Sequence, residues 1–193
     1  MITFKSKKEV QTAEDVFAEM NARQVAALML HDQMANYFAF LGLSGYKRLH
    51  EHQYQEEGKE RRKLNRYYIT RHKRLIPERF EGTVSEIPEA WWNANAMSVG
   101  RSTKQKAVED GFNAYREWEE ETKELYNHYS KRLREMGQTA DALYVDKIVE
   151  KVDEELENLD KIILALISTG YDMVYVVESQ KKIHEHYKKR EGD

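Results

Sequence analysis

Between residues 13 and 41, Phe17, Met20, Ala27, Leu28, Ala35 and Phe38 share one face at about 100° per residue, the pattern of an amphipathic helix. Two polar residues, Gln24 and His31, fall in the middle of that face and are expected to be buried. Thr12 is a plausible N-cap, with Asp15 in the first turn. A second stripe carries Phe112, Tyr115, Trp118, Thr122, Leu125, Tyr126, Tyr129, Leu133 and Met136, with Glu119 at its edge. A third carries Val145, Ile148, Val149, Val152, Leu156, Leu159, Ile163 and Leu166, with Glu155 at one edge. Together with sparse glycine punctuation, these patterns predict helices over about 13–41, 44–74, 103–136, 139–168 and 171–189.

Loop lengths choose the topology. Short turns at Gly42–Gly45 and Gly137 join antiparallel neighbours, whereas the segment 75–103, which holds Pro77, Pro88 and the Trp91-Trp92 pair, is long enough to travel the length of a bundle. The expected fold is all-α: an antiparallel four-helix bundle with one long crossover and an extra C-terminal helix, in a single domain of 193 residues.

The second predicted helix breaks the pattern. From His50 to Lys63 it contains one hydrophobic side chain, Tyr54, so its middle cannot contribute to an apolar core. Projection from Tyr46, Leu49, Leu64 and Tyr67 puts Gln53, Glu56, Glu57 and Glu60 on the packed face or its shoulder. Buried carboxylates require cations, water, protons or a metal. Folding each hairpin about its turn sets His31 level with Glu56 and Glu57, and Glu119 level with Glu155. His31, Glu57, Glu60, Glu119 and Glu155 are therefore the candidate metal ligands, with Gln24 and Glu56 beside them. Carboxylates and an imidazole on facing helices are the ligand types that hold a pair of iron or manganese ions in helical bundles. The competing reading makes Glu56, Glu57 and Glu60 a solvated face paired with Lys59, Arg61 and Arg62, and makes His31 a core histidine hydrogen-bonded to a Glu or Gln of the second helix.

Composition narrows the chemistry. The absence of cysteine removes disulfides, thiolate metal sites and Cys nucleophiles, leaving oxygen and imidazole ligands. A net charge of −3 offers no global field for nucleic acid, which is not an expected partner, although the tail from Lys181 to Arg190 is locally basic. There is no apolar run of membrane-spanning length and no secretory pattern at Met1 to Val10, so the expected location is cytoplasmic, without a membrane partner. No phosphate-binding glycine loop, zinc-protease motif or EF-hand loop is present.

The segment Met34-Ala35-Asn36-Tyr37-Phe38, through Gly42-Leu43-Ser44-Gly45, to Glu56-Glu57 resembles the first helix, turn and second helix of ferritins, over about residues 24–74. The resemblance implies a ferritin-like bundle, a homo-oligomer, and iron, with manganese as the alternative, held at a centre with oxidase or ferroxidase chemistry. It makes Glu57 the bridging carboxylate and places Glu60 where the family has a histidine. It also puts the family's first-helix Glu on Gln24 and its third-helix Glu on Trp118, both losses. In the fourth helix, Glu150-Lys151-Val152-Asp153 resembles a ligand region, yet periodicity turns Glu150 outward and favours Glu119 and Glu155 over Glu117 and Glu150 as inward acids. Tyr67 and Trp118 are candidate redox neighbours. The alternative function is a non-catalytic ferritin-like bundle with a degenerate, cofactor-free site, acting in assembly or interaction through the Trp pair and the fifth helix.

Overall fold

The computed structural model describes residues 9–77 and 99–190. Among them are five helices and no strand: α1 (Ala13–Phe40), α2 (Ser44–His72), α3 (Arg101–Glu135), α4 (Thr139–Ser168) and α5 (Met173–Arg190). The boundaries lie within about two residues of those the sequence predicts. Trp91 and Trp92 lie outside the described residues, as does most of the crossover. No described helix is long and apolar enough to cross a membrane.

A capping box starts α1: the Asp15 N–H donates to Thr12 Oγ1 at 3.1 Å, and the Thr12 N–H donates to the Asp15 carboxylate at 3.1 Å. The helix ends where Gly42 enters the left-handed region (φ 75°), which lets the Leu43 N–H reach back to the Phe38 carbonyl at 2.9 Å. At α5 the start moves to Met173, two residues later than expected. Tyr171 adopts φ 55°, and the Asp172 carboxylate accepts from the Val174 N–H at 2.9 Å.

Helix α1 pairs with α2 and α3 with α4, while α5 folds back onto α2. The apolar core is divided along the bundle. One end packs Phe17, Met20, Leu64, Tyr68, Tyr129, Leu133 and Val145. The other packs Phe38, Leu41, Tyr46, Leu49, Phe112, Tyr115, Ile163 and Leu166. Between them, the apolar contribution is the small-residue face of α1 (Ala22, Ala26, Ala27, Leu30) with Trp118. Helix α2 contributes no fully buried residue between His50 and Leu64. The two apolar ends thus hold a polar layer at mid-height.

Close contact fixes α5. A Cβ at Gly45 would sit 1.8 Å from the Gln180 backbone oxygen, and the Gly45 N–H donates to Gln180 Oε1 at 2.7 Å. Gly45→Ala is expected to cost roughly 1–3 kcal/mol through this overpacking. The loss should be confined to α5, measurable as faster amide exchange over 173–186 with protection of α1 to α4 retained.

Candidate metal centre

All four bundle helices line a cavity of about 50 Å³ in the polar layer, partly open to solvent: α1 through Arg23, Gln24 and Ala27, α2 through Glu57 and Glu60, α3 through Trp118, Glu119, Thr122 and Tyr126, and α4 through Ile148, Lys151, Val152 and Glu155. Glu119 is 3% exposed, and Glu57 and Glu155 are partly buried. Burial pushes the Glu57 carboxyl up to about 8, reinforced by the nearby Glu155 and Glu60 and opposed by Arg23. Burial, then Glu155 and Glu57, raises Glu119 well above the ordinary carboxylate range, again against Arg23. Burial raises Glu155 too, although the Tyr115 hydroxyl donates to it at 2.9 Å and holds its charged form. Gln53 bridges the same pair, donating to Tyr115 Oη at 2.9 Å and to Glu155.

The remaining wall of this layer is cationic. Arg23 is 2% exposed, and its guanidinium lies 3.4 Å from the centroid of the Trp118 ring. Its Nε donates to Thr122 Oγ1 at 3.0 Å and one Nη to the Trp118 carbonyl at 2.9 Å, while Glu121 stands 3.6 Å away at the surface. Desolvation lowers its pKa, and Tyr126, Glu121 and Glu119 act against that, so the guanidinium stays charged. Next to it on α1, Gln24 is 4% exposed and its Oε1 has no hydrogen-bond partner. A buried orphan acceptor in a cavity wall calls for a donor or a cation.

The sequence candidates divide into two groups. Glu57, Glu119 and Glu155 share the cavity. Glu60 also lines it, but Lys63 (2.7 Å) and Lys151 (2.9 Å) hold its carboxylate; their hydrogen bonds outweigh burial and keep its pKa low. Glu56 faces outward and is held low by Lys59 at 2.6 Å. Glu117 and Glu150 are exposed. His31 does not line the cavity; its Nδ1 lies 3.0 Å from Nδ1 of His50, and both rings are fully buried. The imidazoles of His31 and His50 thus meet each other rather than the carboxylates of the cavity. Tyr67 lies outside the cavity, stacked on Tyr144 at 3.7 Å between centroids, in a larger open groove that shares Glu60, Ile148 and Lys151 with it.

Sequence reasoning set Gln53 and Tyr115 on inward faces and missed Arg23 and His50 as members of this layer. Arg23 had a usable signal: it is the sole Lys or Arg in the whole of α1. Among the described residues, no group of three or more His, Asp or Glu is already gathered tightly enough to hold a metal ion. The acids line one space without converging on one point.

No protein-family profile and no curated protein matches the sequence. Solved structures do match in shape. A humanized archaeal ferritin superposes with a TM-score of 0.72 at 17% identity, over 89% of this chain and 94% of its own. An open-pore ferritin from the hyperthermophilic archaeon Archaeoglobus fulgidus gives 0.71 at 16% identity, over 91% and 98%. The chain has the ferritin fold. A PmFTN variant soaked in iron also matches, with a TM-score of 0.69 at 12% identity over 86% and 95%. Nearly complete coverage of both partners extends the ferritin fold beyond α1 and α2, where the sequence resemblance lies, to α3 and α4.

Proposed function

We propose that this ferritin-fold protein binds a divalent cation, iron or manganese, in the mid-bundle cavity, with Glu57, Glu119, Glu155 and Gln24 Oε1 as donors and Glu60 at the rim. The observation that carries this reading is the pairing of three carboxylates of raised pKa with an orphan amide oxygen around one cavity. An all-oxygen donor set fits a hard divalent ion. His31 is left out because its Nδ1 already faces His50.

Bound there, the cation supplies one-electron chemistry toward oxygen or a peroxide, the oxidase or ferroxidase reaction class. The chain's residues prepare the place for it. Glu57 keeps its proton at neutral pH until a cation displaces it. Tyr115 holds one oxygen of Glu155. Trp118 and Arg23 close the α1–α3 side against water. Assembly into a homo-oligomer belongs to the same proposal and is tested by the mass of the native particle in solution.

One observation favours the second reading, a metal-free bundle kept for assembly: Gln24 stands where the resemblance calls for a carboxylate, which weakens the donor set. Thermal unfolding separates the two. Mn²⁺ at about a hundred times its dissociation constant adds about 2.7 kcal/mol, expected as a rise of roughly 5–10 °C in Tm. Glu57→Gln and Glu119→Gln are expected to lose that rise. No shift and no retained metal in the unaltered protein would leave the scaffold reading standing.

A further inference from the structure

The charge of the polar layer sets how many cations it accepts. Glu57, Glu119 and Glu155 carry three negative charges when deprotonated, and Glu60 is paired with both Lys63 and Lys151, which leaves one positive charge over. Arg23 brings a permanent positive charge to the same wall and has Glu121 3.6 Å away at the surface. Two negative charges remain, which one divalent ion cancels. A second ion would leave two uncompensated positive charges among buried side chains, a cost that such sites avoid by not filling.

Arg23 is built in rather than accidental. Its Nε and Nη groups are engaged by Thr122 and the Trp118 carbonyl, and its flat face is taken up by the Trp118 ring. Thr122 Oγ1 in turn donates to the Trp118 carbonyl at 2.8 Å. With that many partners on α3, the guanidinium cannot swing out to make room. The cavity also lacks an imidazole, since His31 and His50 engage one another.

We propose that this site takes one divalent cation per chain rather than a pair, with the Arg23 guanidinium standing permanently as the second positive centre. The inference rests on the metal-binding reading above and makes the protein a mononuclear site on the ferritin fold. Arg23 is a positioning residue: it touches neither the ion nor its substrate, and acts by setting the charge that the three carboxylates have left to offer. Gln24, with its unpartnered and buried Oε1, gives the ion a neutral donor beside it.

Equilibrium dialysis of the metal-free full-length protein against Mn²⁺, read by metal analysis and by electron paramagnetic resonance, tests this directly. The expected result is a plateau at about one ion per chain, with the hyperfine pattern of isolated Mn²⁺. A plateau at about two, with the spectrum of a spin-coupled pair, overturns the inference while leaving the metal-binding reading intact. No binding at millimolar Mn²⁺ overturns both. Arg23→Gln, which removes the charge, is expected to admit a second ion and to bring up the coupled spectrum; Arg23→Lys, which keeps the charge, is expected to remain at one. A folded Arg23→Gln protein that still stops at one ion would also overturn the assignment. Should Arg23→Gln fail to fold, the plateau and spectrum of the unaltered protein decide the matter alone.

Discussion

Metal-free protein is expected to lose stability as the pH rises from about 4.5 to about 8, and Glu57→Gln to remove its own share of that loss. Glu57 has an ordinary carboxyl pKa of 4.5 in the unfolded chain and about 8 in the bundle, where burial and the neighbouring Glu155 and Glu60 disfavour its charge. Below pH 4.5 both states hold the proton and the group is neutral toward folding. Above it the unfolded chain releases the proton first, so the native state binds more protons and unfolding becomes easier with each pH unit, until the native group also ionises near 8. For Glu57 alone the expected loss over the window is roughly 3–5 kcal/mol. Glu119 and Glu155, also raised, add to it in the same direction. Urea midpoints measured at several pH values in the presence of a chelator give the slope. A flat profile between pH 5 and 8 would mean that the bundle does not desolvate these carboxylates.

The same protons couple stability to metal. A cation that needs deprotonated Glu57 and Glu119 must displace what they hold, so its affinity is expected to rise with pH across the window in which the apo protein weakens. Glu57→Gln breaks both effects together. It stabilises the apo protein at pH 8 and abolishes the gain from metal, a combination that general damage to the fold would not produce.

How much of this layer was legible in the sequence depends on which physical quantity each residue obeys. The gap in apolar residues between Leu49 and Leu64 is a matter of helical period alone, and α2 indeed buries nothing fully between His50 and Leu64. The capping box at Thr12 and Asp15 is local chemistry and was equally readable. Arg23 was missed despite being the lone cation of α1, because amphipathic counting sends a guanidinium to solvent, whereas in α1 the run from Val16 to Gln24 is buried around the helix, Glu19 and Asn21 included. Burial of that kind is decided by the neighbours of a helix, and its own period is silent on them. The partner of His31 was not readable either, because which buried side chain of α2 its ring meets is set by rotamers and packing that helical period does not encode.

That histidine pair carries the second large effect, with the opposite sign. The two Nδ1 atoms are 3.0 Å apart, so one ring donates and the other accepts, and they hold opposite tautomers. Both Nε2 atoms are buried without a partner. Phe38 stacks on His50, with 5.4 Å between centroids, and Tyr115 lies against both rings at 5.1 and 5.2 Å. Burial drops the His31 pKa from 6.5 to about 3, and burial with the adjacent His31 takes His50 well below its ordinary value. Their contribution is complete above pH 6.5 and is lost as the pH falls toward 3, because the unfolded chain takes up protons that the bundle refuses. Two such groups give a limiting slope of about 2.7 kcal/mol per pH unit. His31→Leu takes from His50 the one ring-nitrogen partner it has, at an expected cost of roughly 1–3 kcal/mol; the His31→Leu, His50→Leu double variant is expected to be more stable than either single variant. Because the acids weaken the apo bundle as pH rises and the histidines weaken it as pH falls, the double variant should move the pH of greatest stability downward and Glu57→Gln should move it upward. Urea midpoints from pH 4 to 8 on the four proteins test both shifts at once. A double variant that retains the acid-side slope would show that this slope arises elsewhere in the bundle.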